Sequence, residues 1–265
     1  MTGGSALFAV ERDGGPPGLV DEAAALHIRD VPRARNGVVL IHGVMSHAGW
    51  LAPLADALAE RGIASVAVDR RGSGRASSLG GTAEPNHWLH DIRTAQGHLR
   101  RKGHRVALFG WCWGARLALV SASIDPPDQI FLAAPGLAMA PSIRARAAAL
   151  ATGTEDPVAL PFDVDLFSSE PSVMARIRAD ELAWRTQPRS FLAPSRGLLD
   201  RAISVLPGLT LPIITLLADS DRIVDNAKVE ALLAPRQVVR LPGEHALVLE
   251  APTLLADRLV SLLAP

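Results

Sequence analysis

The 265-residue sequence contains one cysteine and no tyrosine, and its charges cancel. A single cysteine cannot form a disulfide within the chain, and it cannot supply a cysteine-rich zinc site. Because 27 basic side chains balance 27 acidic ones, the chain lacks the positive field that holds nucleic acid or an anionic membrane. The composition therefore predicts neither partner, and no motif predicts a metal or a cofactor.

Long apolar runs are also missing. The most apolar long stretch, residues 205–218, is interrupted by Pro207, Gly208 and Pro212, so it does not predict a membrane span. Residues 1–5 include no basic side chain, and the apolar run after them stops at Glu11. We therefore expect no export signal and a cytoplasmic protein.

Short apolar segments alternate with segments of helical periodicity. The predicted strands are residues 37–41, 63–68, 106–109, 129–133, 213–217 and 238–241. The helices that we expect between and after them are residues 50–61, 87–102, 116–122 and 252–263. Because short apolar strands that alternate with helices are typical of parallel sheets, the sequence predicts an α/β fold.

Residues 141–207 interrupt this alternation. Three short helices are predicted there, at residues 142–151, 172–182 and 198–205, with proline-containing links between them. We expect this segment to form a helical cap over the carboxyl ends of the strands, with residues 1–140 and 208–265 as the core. Four apolar residues either line a pocket beneath the cap or form the cap's own core: Met174, Trp184, Phe191 and Leu192.

The clearest local motif is Gly110-Trp111-Cys112-Trp113-Gly114, which follows a predicted strand and opens a predicted helix. A strand that turns this sharply into a helix needs small residues on both sides of its central residue. Cys112 is then held above the sheet at a helix N-terminus, where the helix dipole favours a thiolate. We predict that Cys112 is a nucleophile, although an isolated buried cysteine is usually inert packing.

A nucleophile needs a base, and the base needs an acid to orient it. His245 lies in a loop between the last predicted strand and the last helix, so it is the expected base. Asp221 follows the preceding strand and is the favoured acid, with Asp219 and Asp225 as rivals that could instead cap a helix.

Two backbone N–H groups are candidates for an oxyanion hole. One belongs to Trp113, the residue after the expected nucleophile, and the other to Val44, which follows Gly43 in the turn after the first predicted strand. We expect His42 to be a structural residue that is hydrogen-bonded beneath the site. His87 and His90 lie three residues apart, but no third ligand accompanies them, so they do not predict a metal site.

In this chain order, the motifs resemble those of the α/β-hydrolase superfamily. Residues 38–47 are similar to the oxyanion segment of its monoacylglycerol lipase-like branch, and residues 66–75 to the Asp-x-Arg-Gly-x-Gly turn of that branch. Lipases of the branch carry serine at the elbow, whereas the cysteine form is similar to dienelactone hydrolases and polyhydroxyalkanoate synthases. The resemblance covers residues 35–135 and 210–263, and it implies an α/β-hydrolase fold with an inserted cap.

These residues predict an acyl-transfer enzyme. We expect Cys112, His245 and Asp221 to hydrolyse an ester, lactone or thioester through an acyl-cysteine intermediate. An acyltransferase or cyclase is the alternative, because a thioester passes its acyl group readily to other nucleophiles. A protein that binds a ligand without turnover is a third hypothesis. The expected partner is a small acyl substrate, either free or carried as a thioester, and the sequence leaves the oligomeric state open.

Overall fold

A sheet of mostly parallel strands forms the centre of the molecule. The computed structural model describes residues 9–11, 18–19, 25–77 and 83–263. Its strands are β1 (Ala9–Glu11), β2 (Gly18–Leu19), β3 (Ala25–Arg29), β4 (Asn36–Ile41), β5 (Ala64–Asp69), β6 (Arg105–Trp111), β7 (Gln129–Ala133), β8 (Val158–Ala159), β9 (Thr186–Gln187), β10 (Ile213–Ala218) and β11 (Gln237–Leu241). The main sheet has the order β11-β10-β7-β6-β4-β5-β3-β1-β2, and β8 pairs with β9 apart from it.

The six strands from β11 to β5 in this order are parallel to their neighbours, whereas β3 runs antiparallel to β5. Each of the six lies within two residues of a predicted apolar run at both ends. Every residue of β5 is buried, as expected for a strand with helices on both faces. The predicted α/β architecture is therefore confirmed. Strand β3, in which polar residues alternate with apolar ones in the sequence, had not been predicted.

Helices cover both faces of the sheet. They are α1 (Ala48–Glu60), α2 (Pro85–Arg101), α3 (Gly114–Ala122), α4 (Pro141–Thr152), α5 (Pro171–Ala179), α6 (Leu192–Val205), α7 (Asn226–Leu233), α8 (Leu247–Glu250) and α9 (Pro252–Leu262). Helices α1, α8 and α9 pack together, and so do α2, α3 and α6. Because α1 and α2 both pack on β4 and β5, the two groups lie on opposite faces of the sheet. The short helices α7 and α8 had not been predicted.

The order of the strands creates a crevice at the carboxyl ends of the central ones. The chain passes from β4 to β5 on one side and then crosses to β6 on the other side of β4. Open α/β sheets bind ligands at such a switch point. The loops that follow β4, β6, β10 and β11 therefore meet at one edge, and each of them carries residues of the expected site.

The segment between β7 and β10 holds α4, β8, β9, α5 and α6. Helix α5 ends at Ala179, three residues before the predicted end, and the next carboxylate, Asp180, accepts hydrogen bonds from the side chains of His47 and Trp50. Helix α6 begins at Leu192, six residues before the predicted start. Pro194 falls in its first turn, where a missing N–H removes no helical hydrogen bond.

Within the ranges that the structure describes, no helix combines the length and the apolar character that a membrane span requires. The expectation of no export signal concerns residues at the N-terminus, and residues 1–8 lie outside the described part of the chain. A cytoplasmic location stays a prediction.

Gly114 tests how tightly the turn after β6 is packed. A Cβ at this position would collide with the backbone oxygens of Ile41 and His42 at the end of β4. We expect Gly114→Ala to lower the free energy of unfolding by about 1–3 kcal/mol, because backbone atoms cannot move aside as a flexible side chain can.

The matched control is Gly197→Ala in α6, where a Cβ would meet no atom within 4 Å. Alanine is favoured over glycine inside a helix by about 0.5–1 kcal/mol, so this variant should be as stable as the wild type or more stable. Urea unfolding of the two variants measures both effects. Equal stability of Gly114→Ala and the wild type would contradict the close approach of α3 to β4.

Candidate active site

Cys112 occupies a sharp turn between β6 and α3, with a backbone φ of 53° that side-chain-bearing residues rarely adopt. Its N–H donates to the carbonyl oxygen of Ala133 at 3.0 Å, and its own carbonyl oxygen accepts from Gly136 at 2.8 Å. A Cβ at Gly110 would lie 2.7 Å from the Cα of Ala115, so the chain passes itself too closely for any side chain there. The backbone thus holds the thiol in one position above the sheet.

The structure brings His245 and Asp221 together beneath the surface. The Nδ1 atom of His245 donates to Asp221 Oδ2 at 2.9 Å, and neither side chain is exposed to solvent. The other carboxylate oxygen of Asp221 accepts the backbone N–H groups of Ile223 at 2.8 Å and Val224 at 2.9 Å. The carboxylate is therefore fixed by three donors and holds the imidazole in one orientation.

The sulfur of Cys112 is close enough to His245 to raise its pKa. The Nε2 atom of the imidazole makes no hydrogen bond among the described residues. The site therefore has the order carboxylate, imidazole, sulfur, which is the relation of acid, base and nucleophile in covalent catalysis.

The pKa of His245 is raised to about 10. Burial alone would lower this pKa, and it is the largest single effect. The charge of Asp221, its hydrogen bond to Nδ1 and the nearby sulfur of Cys112 raise this pKa and together outweigh burial. For Asp221, burial opposes ionisation, but the charge of His245 and the hydrogen bonds to the carboxylate lower its pKa below the usual range. The geometry thus favours a protonated imidazole held by the Asp221 carboxylate.

Aromatic side chains enclose the imidazole. The indole N–H of Trp111 donates to the carbonyl oxygen of His245 at 3.0 Å, and the two rings are 5.7 Å apart. The ring of Phe167 meets the imidazole edge to face at 5.2 Å, and its carbonyl oxygen accepts the N–H of Ala246 at 2.9 Å. Sequence reasoning missed both residues, although Trp111 lies inside the elbow motif.

The two rival acids lie away from the imidazole. Asp219 is half exposed, and its nearest cation is Arg240 at 3.6 Å. Asp225 caps α7, where its side chain accepts the N–H of Lys228 at 3.2 Å. Among these three aspartates, Asp221 is the one with a hydrogen bond to His245.

The N–H groups of Val44 and Trp113 flank the thiol at the ends of β4 and β6. Within the described residues, neither group donates a hydrogen bond to the protein. The guanidinium of Arg70 donates to the carbonyl oxygen of Val44 at 3.3 Å and so holds that turn. A Cβ at Gly136 would lie 3.3 Å from the nitrogen of Trp113, so glycine leaves this N–H accessible.

His42 is buried behind the same turn. Its Nδ1 lies 2.7 Å from the carbonyl oxygen of Gly43, and its Nε2 accepts the N–H of Arg70 at 3.1 Å. Burial and the charge of Arg70 lower its pKa to about 3. A neutral imidazole with both nitrogens bonded to backbone is a structural residue, as the sequence analysis expected.

The guanidinium of Arg70 is surrounded by aromatic rings. Its carbon lies 5.1 Å from the ring centroid of Trp113, 4.3 Å from that of Trp184 and 4.9 Å from that of Phe191. Burial lowers the pKa of Arg70 to about 9, so it stays charged at neutral pH. Trp184 and Phe191 therefore pack on this cation rather than line the cavity at the thiol.

A cavity of about 610 Å³ opens at Cys112. Its walls are mostly apolar, and they come from the core and from the segment between β7 and β10, with Leu137, Met139, Ile143, Leu160, Phe162 and Leu192 among them. Of the four apolar residues named from sequence, Leu192 lines this cavity, whereas Met174 is buried elsewhere. Sequence reasoning missed Arg116, a basic residue of the otherwise apolar α3 that also lines it.

No group of three or more histidine, cysteine, aspartate or glutamate side chains in the described ranges could hold a metal ion. The chemistry that this arrangement supports is attack by the sulfur on an electrophilic carbon at the mouth of an apolar cavity.

The profile of the serine aminopeptidase family (S33) matches residues 32–239. The chain belongs to this family. It is an α/β-hydrolase enzyme, and the expected superfamily is confirmed. Comparison with curated proteins gives no match.

Several solved structures are similar to this chain over most of its length. A monoacylglycerol lipase from Paleococcus ferrophilus is 20% identical with a TM-score of 0.72, covering 90% of this chain and 98% of its own. A soluble variant of the monoglyceride lipase from Saccharomyces cerevisiae is 18% identical with a TM-score of 0.74, covering 91% and 92%. A thermophilic esterase from Thermogutta terrifontis is 20% identical with a TM-score of 0.69, covering 92% and 93%.

The nucleophile position of the elbow differs from the serine that the family name implies. The elbow, where the family usually has a serine nucleophile, carries Cys112. A thiol ionises far more readily than a hydroxyl. Cysteine at this position can therefore carry a negative charge beside the imidazole, which serine does not.

The charge state of His245 can be measured directly. In the wild type, its NMR titration should show protonation well above pH 6.5, because Asp221 and Cys112 raise its pKa to about 10. Asp221→Asn removes one of the two negative charges, so the pKa should fall. Asp219→Asn, at the half-exposed rival acid, should leave it unchanged. A titration of Asp221→Asn that matches the wild type would contradict this account.

The same shift predicts the direction of a stability change. A pKa that is raised in the folded state means that protonation stabilises the fold. This contribution is fully present below pH 6.5 and is lost as pH rises towards about 10. In the Asp221→Asn variant, urea unfolding across this pH range should show a flatter dependence.

Proposed function

We propose that this enzyme hydrolyses a carboxylic ester through a covalent acyl-Cys112 intermediate. The observation that carries the proposal is the buried His245, with Nδ1 on Asp221 and Nε2 beside the sulfur. The raised pKa of His245 supports a resting ion pair of thiolate and imidazolium, as in other cysteine enzymes activated by histidine.

In the first step, the sulfur of Cys112 attacks the ester carbonyl carbon. A carbon–sulfur bond forms, and the carbonyl oxygen takes the negative charge of a tetrahedral intermediate. The intermediate then expels the alkoxide, and the Nε2 proton of His245 passes to this leaving group. The products are a thioester on Cys112, a free alcohol and a neutral imidazole.

In the second step, neutral His245 takes a proton from water while the water oxygen attacks the thioester carbonyl. The second tetrahedral intermediate collapses, the carbon–sulfur bond breaks and the carboxylic acid leaves. Sulfur departs as the thiolate, and His245 keeps the proton, so the ion pair is restored. Asp221 orients the imidazole in both steps and compensates its charge.

The N–H groups of Val44 and Trp113 are the proposed oxyanion donors. Neither N–H donates a hydrogen bond to another group in the described part of the chain, which supports this role. A donor that is already bonded to the protein could not bind the oxyanion. Each such donor contributes a factor of about a hundred to a thousand in rate when it is aimed at the developing charge.

The substrate class follows from the cavity and from the names of structural neighbours. Mostly apolar walls at Cys112 suit an acyl chain better than a peptide or a sugar. The neighbours named above are two lipases of monoacylglycerols and an esterase, and hydrolase activity of that type is supported for this chain. Lactones and thioesters are carbonyl substrates that the same two steps would cleave.

Transfer of the acyl group is the second candidate, and Cys112 itself is the observation that favours it. A thioester reacts well with amines and thiols, so an acceptor that competes with water would receive the acyl group. The residues and the first step would be the same, and the acceptor would take the place of water in the second.

We further propose that residues 141–207 act as a cap over the site. Phe167 and Leu192 from this segment contact His245 and line the cavity, respectively. Trp184 is tied to the core by its N–H, which donates to the carbonyl oxygen of Met45 at 2.8 Å. The segment is thus packed on both sides of the expected reaction centre.

The acyl-enzyme can be trapped because Cys112 is the single cysteine. Brief exposure to para-nitrophenyl esters or acyl thioesters should raise the intact mass of the wild type by one acyl group. Cys112→Ala should show no adduct and should lose at least about a thousandfold in kcat/KM, as should His245→Ala. Near-wild-type turnover by Cys112→Ala would contradict the acyl-cysteine mechanism. Absence of both adduct and product across the panel would support a binding protein instead.

The lifetime of that adduct separates hydrolysis from transfer. For a hydrolase, the acyl mass should disappear at the same rate with or without a primary amine or a thiol, and free acid should form. For a transferase, the added acceptor should shorten the lifetime at least about tenfold and appear in the product. His245→Ala, acylated under the same conditions, should lose its adduct slowly in both cases, since it has no base.

A further inference from the structure

Arg116 is a partly buried guanidinium that lines the cavity at Cys112 and forms no salt bridge with a carboxylate among the described residues. Its Nε donates to the carbonyl oxygen of Gly136 at 2.8 Å, and one terminal nitrogen lies 3.3 Å from the carbonyl oxygen of Ser195. Its second terminal nitrogen makes no hydrogen bond in the described part of the chain. The side chain is therefore anchored on one edge and open on the other.

Cys112 and Asp200 raise the pKa of Arg116, but neither forms a hydrogen bond with its guanidinium among the described residues. Among the described residues that line the cavity, Asp200 is the one carboxylate, and it pairs with Arg196 at 3.2 Å. Arg144 and Lys228 also line the cavity, but both are exposed, and Lys228 pairs with Asp225 at 2.9 Å. Burial lowers the pKa of Arg116 to about 10, so it keeps its charge at neutral pH.

A cation that is partly removed from water at a mostly apolar cavity wall is stabilised by an anionic partner. Arg116 lies four residues after Cys112, at the first turn of α3. An anion held there would lie near an acyl group on the sulfur. A guanidinium edge with a free terminal nitrogen suits a carboxylate, which accepts charge-assisted hydrogen bonds from arginine.

We propose that Arg116 binds a carboxylate on the acyl part of the substrate, so that the preferred substrates are half-esters of dicarboxylic acids. This inference rests on the proposed acyl-Cys112 chemistry. The apolar walls accommodate the carbon chain, Arg116 holds the remote carboxylate, and the ester carbonyl lies at Cys112. Monoacylglycerols and other neutral esters would lack the second anchor.

The first test compares two esters with acyl chains of equal length, para-nitrophenyl hydrogen adipate and para-nitrophenyl hexanoate. In the wild type, kcat/KM should be at least about tenfold higher for the adipate ester, since a hydrogen bond to a charged group contributes that much. Arg116→Gln should lose this preference, and Arg116→Lys should keep part of it. Arg201→Gln, at an exposed residue of α6 outside the cavity lining, is the control and should keep the preference in full.

The second test needs no turnover. Iodoacetate and iodoacetamide both alkylate cysteine, but iodoacetate is an anion and iodoacetamide is neutral. The ratio of their alkylation rates at Cys112 therefore measures how strongly the site beside the sulfur attracts an anion. In Arg116→Gln, the iodoacetate-to-iodoacetamide ratio should fall at least about tenfold below that of the wild type and of Arg201→Gln. A role of Arg116 only as a clamp between Gly136 and Ser195 would leave both ratios unchanged.

The outcomes separate this inference from the proposed function. Equal kcat/KM for the two esters in the wild type, or a preference that survives in Arg116→Gln, overturns the carboxylate site and leaves the acyl-cysteine mechanism standing. If Cys112→Ala retains turnover, the mechanism fails while the carboxylate site is still measurable by calorimetry. Adipate should then bind to Cys112→Ala and not to the double variant Cys112→Ala/Arg116→Gln, and equal binding to both would overturn the site.

Discussion

The strained turn at Cys112 is the constraint on which the rest of the site depends. A φ of 53° is unfavourable for cysteine, and it persists only because neighbouring backbone determines it. The turn is bonded to β7 through Ala133 and to the next loop through Gly136, while Gly114 lets α3 start against the end of β4. The same packing that presents the sulfur therefore also fixes both expected oxyanion donors relative to it. The backbone packing that imposes the strained φ on Cys112 is thus the packing that positions its sulfur.

The imidazole depends on parts of the chain that are far apart in sequence. Asp221 follows β10, Trp111 ends β6, and Phe167 belongs to the segment between β7 and β10. A buried imidazolium would be unstable in this apolar cage without its two anions, since burial opposes charge. The segment between β7 and β10 thus helps to position the base, because the ring of Phe167 packs on the imidazole and its carbonyl oxygen accepts the N–H of Ala246.

Much of the core was predictable, because buried parallel strands are short apolar runs and helix ends carry glycine. Cys112, His245 and Asp221 were predictable for the same reason, since each lies directly after a recognisable strand. The sequence could not reveal β3, because Ala25–Arg29 alternates polar and apolar residues and so lacks a continuous apolar run. It also could not assign the aromatic residues of the cap, because apolar residues that cover a cavity and those that cover Arg70 have the same local pattern. Arg116 was missed because a lone arginine in a helix usually faces solvent.

Cysteine at a position where the family usually has serine changes the electrostatics of the whole cavity. A serine enzyme begins with a neutral hydroxyl and a neutral imidazole, whereas the mechanism proposed above begins with an ion pair of thiolate and imidazolium. In the proposed mechanism, the thiolate, the imidazolium and Asp221 together carry a net negative charge, and Arg116 lies on the cavity side of this group. Arg116 would then stabilise the resting thiolate in the empty cavity and would lose this partner when the sulfur becomes acylated. At that moment its charge is free for an anion on the acyl group, so nucleophile and substrate preference are coupled through one guanidinium.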